Sequence, residues 1–173
     1  MDIAACMAVV RPTGEYTCNA NDYNQLVMLD GTLKPTLFEL QAAEMDANKA
    51  KLKAKVGAKR YAVEVAGINF TYRTVPIPVS TARASQEKID AARNMVRDSA
   101  WVDGSNWKFA DGVFRPMTAV EITAMCDAVR THIKACFENE AVKFAEINAT
   151  GTTDVNTGWP ATANTPVTTT FQN

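Results

Sequence analysis

The chain has a single histidine, His132, and its four cysteines, Cys6, Cys18, Cys126 and Cys136, form no Cys-x-x-Cys pair. One histidine rules out a multi-histidine metal or acid–base constellation, since zinc asks for four protein ligands or three and a water. His132 and Cys136 stand one helical turn apart and could offer two ligands at most, so packing is the expected role of both. Charge of one sign is also missing. The 18 basic and 19 acidic side chains of the 173 residues leave a net charge of −1, which gives no global attraction to nucleic acid or to an anionic membrane. Neither is an expected partner. No run of about 18 apolar residues occurs, so no membrane insertion is expected. The first thirty residues lack the basic-then-apolar layout of a signal peptide, which predicts folding in a cytoplasm. Glycine-rich phosphate loops, G-x-G-x-x-G turns and G-x-S-x-G elbows are absent, and the carboxylates form no D-x-D or E-x-x-H cluster. No cofactor, no metal and no enzymatic activity are expected; a hydrolase relying on Asp, Glu or Ser alone is the enzymatic alternative.

What the chain does contain is unevenly placed. Residues 150–173 include nine threonines, and Asp154 is their only charged side chain. Pro160 and Pro166, Gly151 and Gly158 exclude a helix there, and the β-branched threonines favour extended backbone. Two readings stay open: a solvated tail, or an extended arm ordered on a neighbouring subunit through Trp159, Val167 and Phe171. Lysine and arginine make up half of residues 49–60. Thr36 and Glu39 form a capping-box pattern after Pro35, which predicts a helix from about Thr36. Phe38, Ala42, Met45, Leu52 and Val56 then mark its apolar stripe, the lysines its solvated side, and Gly57 its stop.

The rest reads as an α+β alternation. Ala4–Val10 and Gln25–Leu29 are short apolar runs around Pro12, Gly14 and an Asn/Asp cluster, and predict two strands of a small N-terminal antiparallel element. Tyr61, Val63 and Val65, and beyond Gly67 Ile68, Phe70 and Tyr72, alternate as strand faces. Val75–Val79 carries Pro76 and Pro78 and reads as an edge strand or covering segment. Ser85 is the expected cap of a helix running to about Asp98, with Ile89, Ala92 and Val96 on one side. Asp111-Gly112 between Trp107–Phe109 and Val113–Arg115 signals a two-residue hairpin. Trp107 reads more simply as core than as a stacking platform. A second capping box, Thr118 with Glu121, opens a helix of about eight turns. Its stripe passes through Ile122, Met125, Val129, Ile133, Cys136 or Phe137, Glu140, Phe144 and Ile147, and its distal half is expected to pack against another chain. Cys126 and Cys136 lie roughly 15 Å apart along that helix, too far for a disulfide. The expected organisation is an N-terminal strand element plus helix over 1–58, an α+β domain over 59–149 and an extended arm over 150–173.

Residues from about Tyr61 to Ala149 resemble a domain of unknown function found repeatedly in tail genes of tailed bacteriophages. The resemblance is carried by Gly67–Phe70 with Val75–Pro78, by Ser80–Gln86 opening a helix, by Trp107–Gly112, and by the long helix from Met117 through Ala128, Val129, His132, Cys136 and Phe137. The first fifty residues also look like the starts of small phage tail proteins, through Asn24–Asp30 and Lys34–Leu40. The resemblance implies a non-enzymatic virion component near the tail fibres or baseplate, without catalytic residues, made in the host cytoplasm. Its implied partners are copies of itself, with a trimer favoured because fibre-like attachments of this kind are usually trimeric, and other tail proteins. The expected contact residues are Met125, Val129, Ile133, Phe137, Phe144, Ile147, Trp159, Val167 and Phe171. The alternatives are a tail-fibre assembly chaperone and a receptor- or glycan-binding tip using Trp101, Trp107 and Trp159.

Overall fold

A computed structural model describes residues 1–163. The chain order is α1 (Ile3–Val10), β1 (Tyr16–Thr17), β2 (Val27–Met28), α2 (Leu37–Glu64), β3 (Ile68–Tyr72), β4 (Val75–Val79), α3 (Arg83–Arg97), β5 (Ser105–Lys108), β6 (Phe114–Met117) and α4 (Ala119–Thr150). Among the described residues the strands pair only with their sequence neighbours, as three antiparallel two-stranded sheets. This is the expected α+β class. The described residues form two compact units: Met1–Val56 with Val142–Val155, and Gly57–Ala141 with residues 156–163. The division therefore falls inside α2 and α4.

In the first unit, Ile3, Cys6, Met7, Leu26, Leu40, Ala43 and Ala47 form the buried cluster. Ala4–Val10, expected as a strand, is helical. The Asp2 carboxylate accepts the Ala5 amide at 3.1 Å and caps the helix, and the buried positions Ile3, Cys6 and Met7 keep a three-to-four spacing. A continuous apolar run fits either period, so the cap decides. The partner of Val27–Met28 is then Tyr16–Thr17. The capping box at the start of α2 is present in full: the Thr36 amide donates to Glu39 Oε2 at 2.7 Å, and the Glu39 amide donates to Thr36 Oγ1 at 3.2 Å.

Gly57 does not end α2, which continues to Glu64, so Tyr61–Val65 is the last turns of a helix and not a strand. A glycine inside a helix costs about 1 kcal/mol against alanine, a penalty that the remaining turns override. The true stop is Gly67, at φ +83°, where a Cβ would meet the Val79 carbonyl oxygen at 2.9 Å. The buried Thr81 hydroxyl completes this end by accepting the Gly67 amide at 2.9 Å and donating to the Glu64 carbonyl. Helix-end groups that would otherwise be orphaned are thus satisfied from fourteen residues away.

The second unit is built on two hairpins and two helices. Ile68, Phe70 and Tyr72 are buried on one face of β3, as their alternation predicts, and β4 pairs in the register Phe70↔Ile77. They pack with Ile89 and Ala92 of α3, Phe109, Met117, and Ile122, Met125, Cys126 and Val129 of α4. Helix α3 starts at Arg83, two residues before the expected Ser85, and Ala82 makes no side-chain cap. The second hairpin has a three-residue loop, Ala110–Gly112, where two were expected. The Phe109 amide bonds the Val113 carbonyl at 3.1 Å, and Gly112 takes φ +82°. Such a loop uses glycine at its left-handed position. Helix α4 opens on its expected capping box, with the Thr118 amide on Glu121 Oε2 at 2.8 Å and the Glu121 amide on Thr118 Oγ1 at 3.2 Å.

Candidate functional site

The residues expected to form contacts along α4 separate by exposure. Met125 and Val129 belong to the buried core of the second unit, and Ile133 packs against it. Ile147 is fully buried in the first unit. These four serve the chain's own packing. Phe137 is 48% exposed, with the Arg60 guanidinium carbon 4.6 Å from its ring centroid. Phe144 is half-buried, with Lys53 Nζ 5.7 Å from its ring. Trp159 is half-buried. Val167 and Phe171 lie outside the described residues. The described part of the Thr-rich segment bonds to its own chain: Asn139 Nδ2 donates to the Thr157 carbonyl at 3.2 Å, and the Ala163 amide to the Gly67 carbonyl at 2.9 Å.

The stripe expected along α2 turns inward only at its far end, where Val56 is fully buried. Phe38, Ala42 and Met45 were expected to face the core, but Leu40, Ala43 and Ala47 occupy it. Phe38 is 78% exposed, Met45 64%, and Leu33, just before the helix, 86%. Their spacing puts Phe38, Ala42 and Met45 on one side of α2. Two apolar stripes on one helix cannot both be assigned from periodicity, and the larger side chains drew the wrong assignment. In the second unit, Val120 at 77% exposure stands in a shallow depression with Val96, Ala119 and Ala124.

A polar cluster that the sequence reading missed sits inside the second unit. Arg60 bonds the buried Glu64 one turn on, and its Nε lies 3.3 Å from a Glu140 oxygen. The i, i+4 spacing of Arg60 and Glu64 was visible, but a strand reading of Tyr61–Val65 conceals it. His132 is buried with Nε2 3.1 Å from the Val63 carbonyl oxygen, and Cys136 Sγ is 3.8 Å from the same nitrogen. Burial, reinforced by the Glu64 charge, pushes the Cys136 thiol up to about 11, and burial likewise raises Cys6 and Cys126. Thiols held protonated are poor nucleophiles and poor metal ligands. All four cysteines are free thiols. Among the described residues, no three His, Cys, Asp or Glu side chains converge to hold a metal ion, and no helix is long and apolar enough to cross a membrane. Trp101 donates its indole N–H to the Met117 carbonyl at 3.2 Å, which ties it to the core. Trp107 is half-buried and packs against the same core.

By fold and surface the chain is an α+β protein whose hairpins are held by helices and whose longest helices carry outward apolar side chains. It belongs to the family described as Domain of unknown function (DUF4376), whose model matches residues 47–171. The match starts inside α2 and takes in the Thr-rich segment that the phage-tail resemblance left out. No curated protein and no solved structure matches the chain.

Proposed function

We propose that the protein is a structural component of a tailed bacteriophage virion, associated with the tail, baseplate or tail fibres, and that it acts as a homo-oligomer through protein–protein contacts. The tail placement rests on the resemblance of Tyr61–Ala149 to a domain recurrent in phage tail genes. The contact mode rests on one observation: Leu33, Phe38 and Met45 stand outward on and beside α2, while Ile3, Met7, Leu26 and Leu40 with Ala43 and Ala47 fill the core beneath. Large apolar groups gathered on one face mark an interaction site more often than a bare surface. Copies of the chain, with a trimer favoured, and neighbouring tail proteins are the proposed partners; no catalytic step is assigned.

Native mass measurement on the purified chain, with protein identification on purified virions, tests the reading. An oligomeric mass that falls to the protomer in Phe38→Ser/Met45→Ser, together with a stoichiometric virion band, supports it. Oligomerisation without a virion band transfers the chain to fibre assembly as a chaperone. A strict monomer, alone and with virion proteins, overturns it.

A further inference from the structure

The second unit carries a groove of about 410 Å³ between the start of α3, the end of β4 and the end of β5, within the size range of small-molecule sites. Its floor is apolar, made by the buried Val79, Ile89 and Phe109. The half-buried Trp107 indole lines it and makes no hydrogen bond to any described residue. Ser80 Oγ accepts the Ala82 amide at 3.3 Å and the Ser85 hydroxyl at 3.0 Å. One hydroxyl hydrogen of the Ser80–Ser85 pair therefore has no acceptor among the described residues.

The charges are one-sided. Lys88 and Lys108 line the groove and no acidic side chain does, but Lys108 follows Trp107 in β5, so its side chain leaves by the opposite face, with Nζ 5.7 Å from the Phe114 ring centroid. Arg73, Arg93, Arg115 and Arg130 in the same unit each pair with a carboxylate, whereas neither groove lysine has a carboxylate within 4.0 Å among the described residues. The α3 N-terminus adjoins, uncapped by any side chain, and adds positive potential. Hydroxyl donors and the Lys88 cation thus stand over an apolar floor, and no carboxylate lines the groove to hold a cation.

We infer that this groove binds a compact organic anion, a flat apolar body of about one ring carrying a carboxylate or phosphate, with the ring on Val79, Ile89, Phe109 and Trp107 and the anion near Lys88 and the Ser80–Ser85 hydroxyls. A polyhydroxylated sugar fits less well, because no Asp, Glu, Asn, Gln or Arg lines the groove to fix its hydroxyls. The site is independent of the virion reading, and its test does not depend on oligomeric mass.

The experiment is an amide and indole NMR titration of the full chain with phenylacetate, phenyl phosphate, benzyl alcohol and acetate. Phenylacetate or phenyl phosphate is expected to shift the Trp107 indole and the Ser85 and Lys108 amides saturably. Benzyl alcohol, with the ring alone, and acetate, with the anion alone, are expected to bind about tenfold more weakly or less. Lys88→Ala, an exposed substitution, removes most of the preference for phenylacetate over benzyl alcohol and leaves the benzyl alcohol affinity unchanged, whereas Lys108→Ala, beside Phe114, leaves that preference in place. Equal affinity for phenylacetate and benzyl alcohol, a preference that survives Lys88→Ala or is lost equally in Lys108→Ala, or no saturable shift at the groove with either ring anion overturns the inference.

Discussion

The two units spend the same residue types differently. The second unit gathers most of its large apolar side chains into one core, where Phe70, Tyr72, Ile77, Phe109, Met117, Ile122 and Met125 are buried together, though Phe114, Val120 and Phe137 stay outside. The first buries Ala43, Ala47, Cys6 and a few larger residues, with only a two-residue strand pair beside its helices, and leaves Leu33, Phe38 and Met45 outside. Buried apolar area sets local stability. The second unit is thus built to hold its own shape through the larger core, and the first to hold less of it.

The sharpest break in that contrast comes from the polar cluster. Arg60→Met leaves Glu64 buried without its cation and is expected to cost about 3–5 kcal/mol, read by denaturant unfolding of the full chain. A loss below about 1 kcal/mol would mean that water reaches Glu64. Next come the cores themselves. Leu40→Ala and Met125→Ala should each cost about 2–5 kcal/mol. Hydrogen exchange should then rise across the first unit for Leu40→Ala and across the second for Met125→Ala. Uniform acceleration in both variants would show the units unfolding as one.

The two capping boxes allow a finer comparison. The Thr36 amide and hydroxyl hold the Glu39 carboxyl below its ordinary value near 4.5. Burial pushes Glu121 up, but the Thr118 amide and hydroxyl and Arg73 outweigh it and leave it lowered too. Each folded-state value lies below the unfolded one, so each contribution is present above about pH 4.5 and fades as pH falls through the folded value. Carboxyl NMR titration should place both midpoints below the ordinary range, and Thr36→Ala should raise Glu39 while leaving Glu121 in place. The smallest expected effect is a gain. Gly57→Ala restores helix propensity in mid-α2, where the new Cβ would stand 3.4 Å from a Glu140 oxygen, and should stabilise by about 0.5–1 kcal/mol in thermal unfolding.

Local chemistry was legible in the sequence, and facing was not. Both capping boxes, the Ile68–Phe70–Tyr72 alternation and the span of α4 follow from bonds or spacings within a few residues. The helix at Ile3–Val10 depends on one carboxylate at Asp2, and the end of α2 on a threonine fourteen residues beyond Gly67. Which of two apolar stripes on α2 faces inward is decided by the elements that pack on it, a choice that no window of its own sequence contains. The groove was invisible for the same reason, since Ser80, Lys88 and Trp107 belong to three separate elements.

Gly67 gives the second unit a load path. Its amide is held by Thr81, and its carbonyl takes the Ala163 amide at 2.9 Å. Tension on the chain beyond Ala163 therefore arrives first at a residue already clamped to the end of β4 and, through Thr81, to the last turn of α2. The bond from Ala163 is thus one of the first ties such a pull would load, and it is anchored through Gly67 and Thr81 to the last turn of α2.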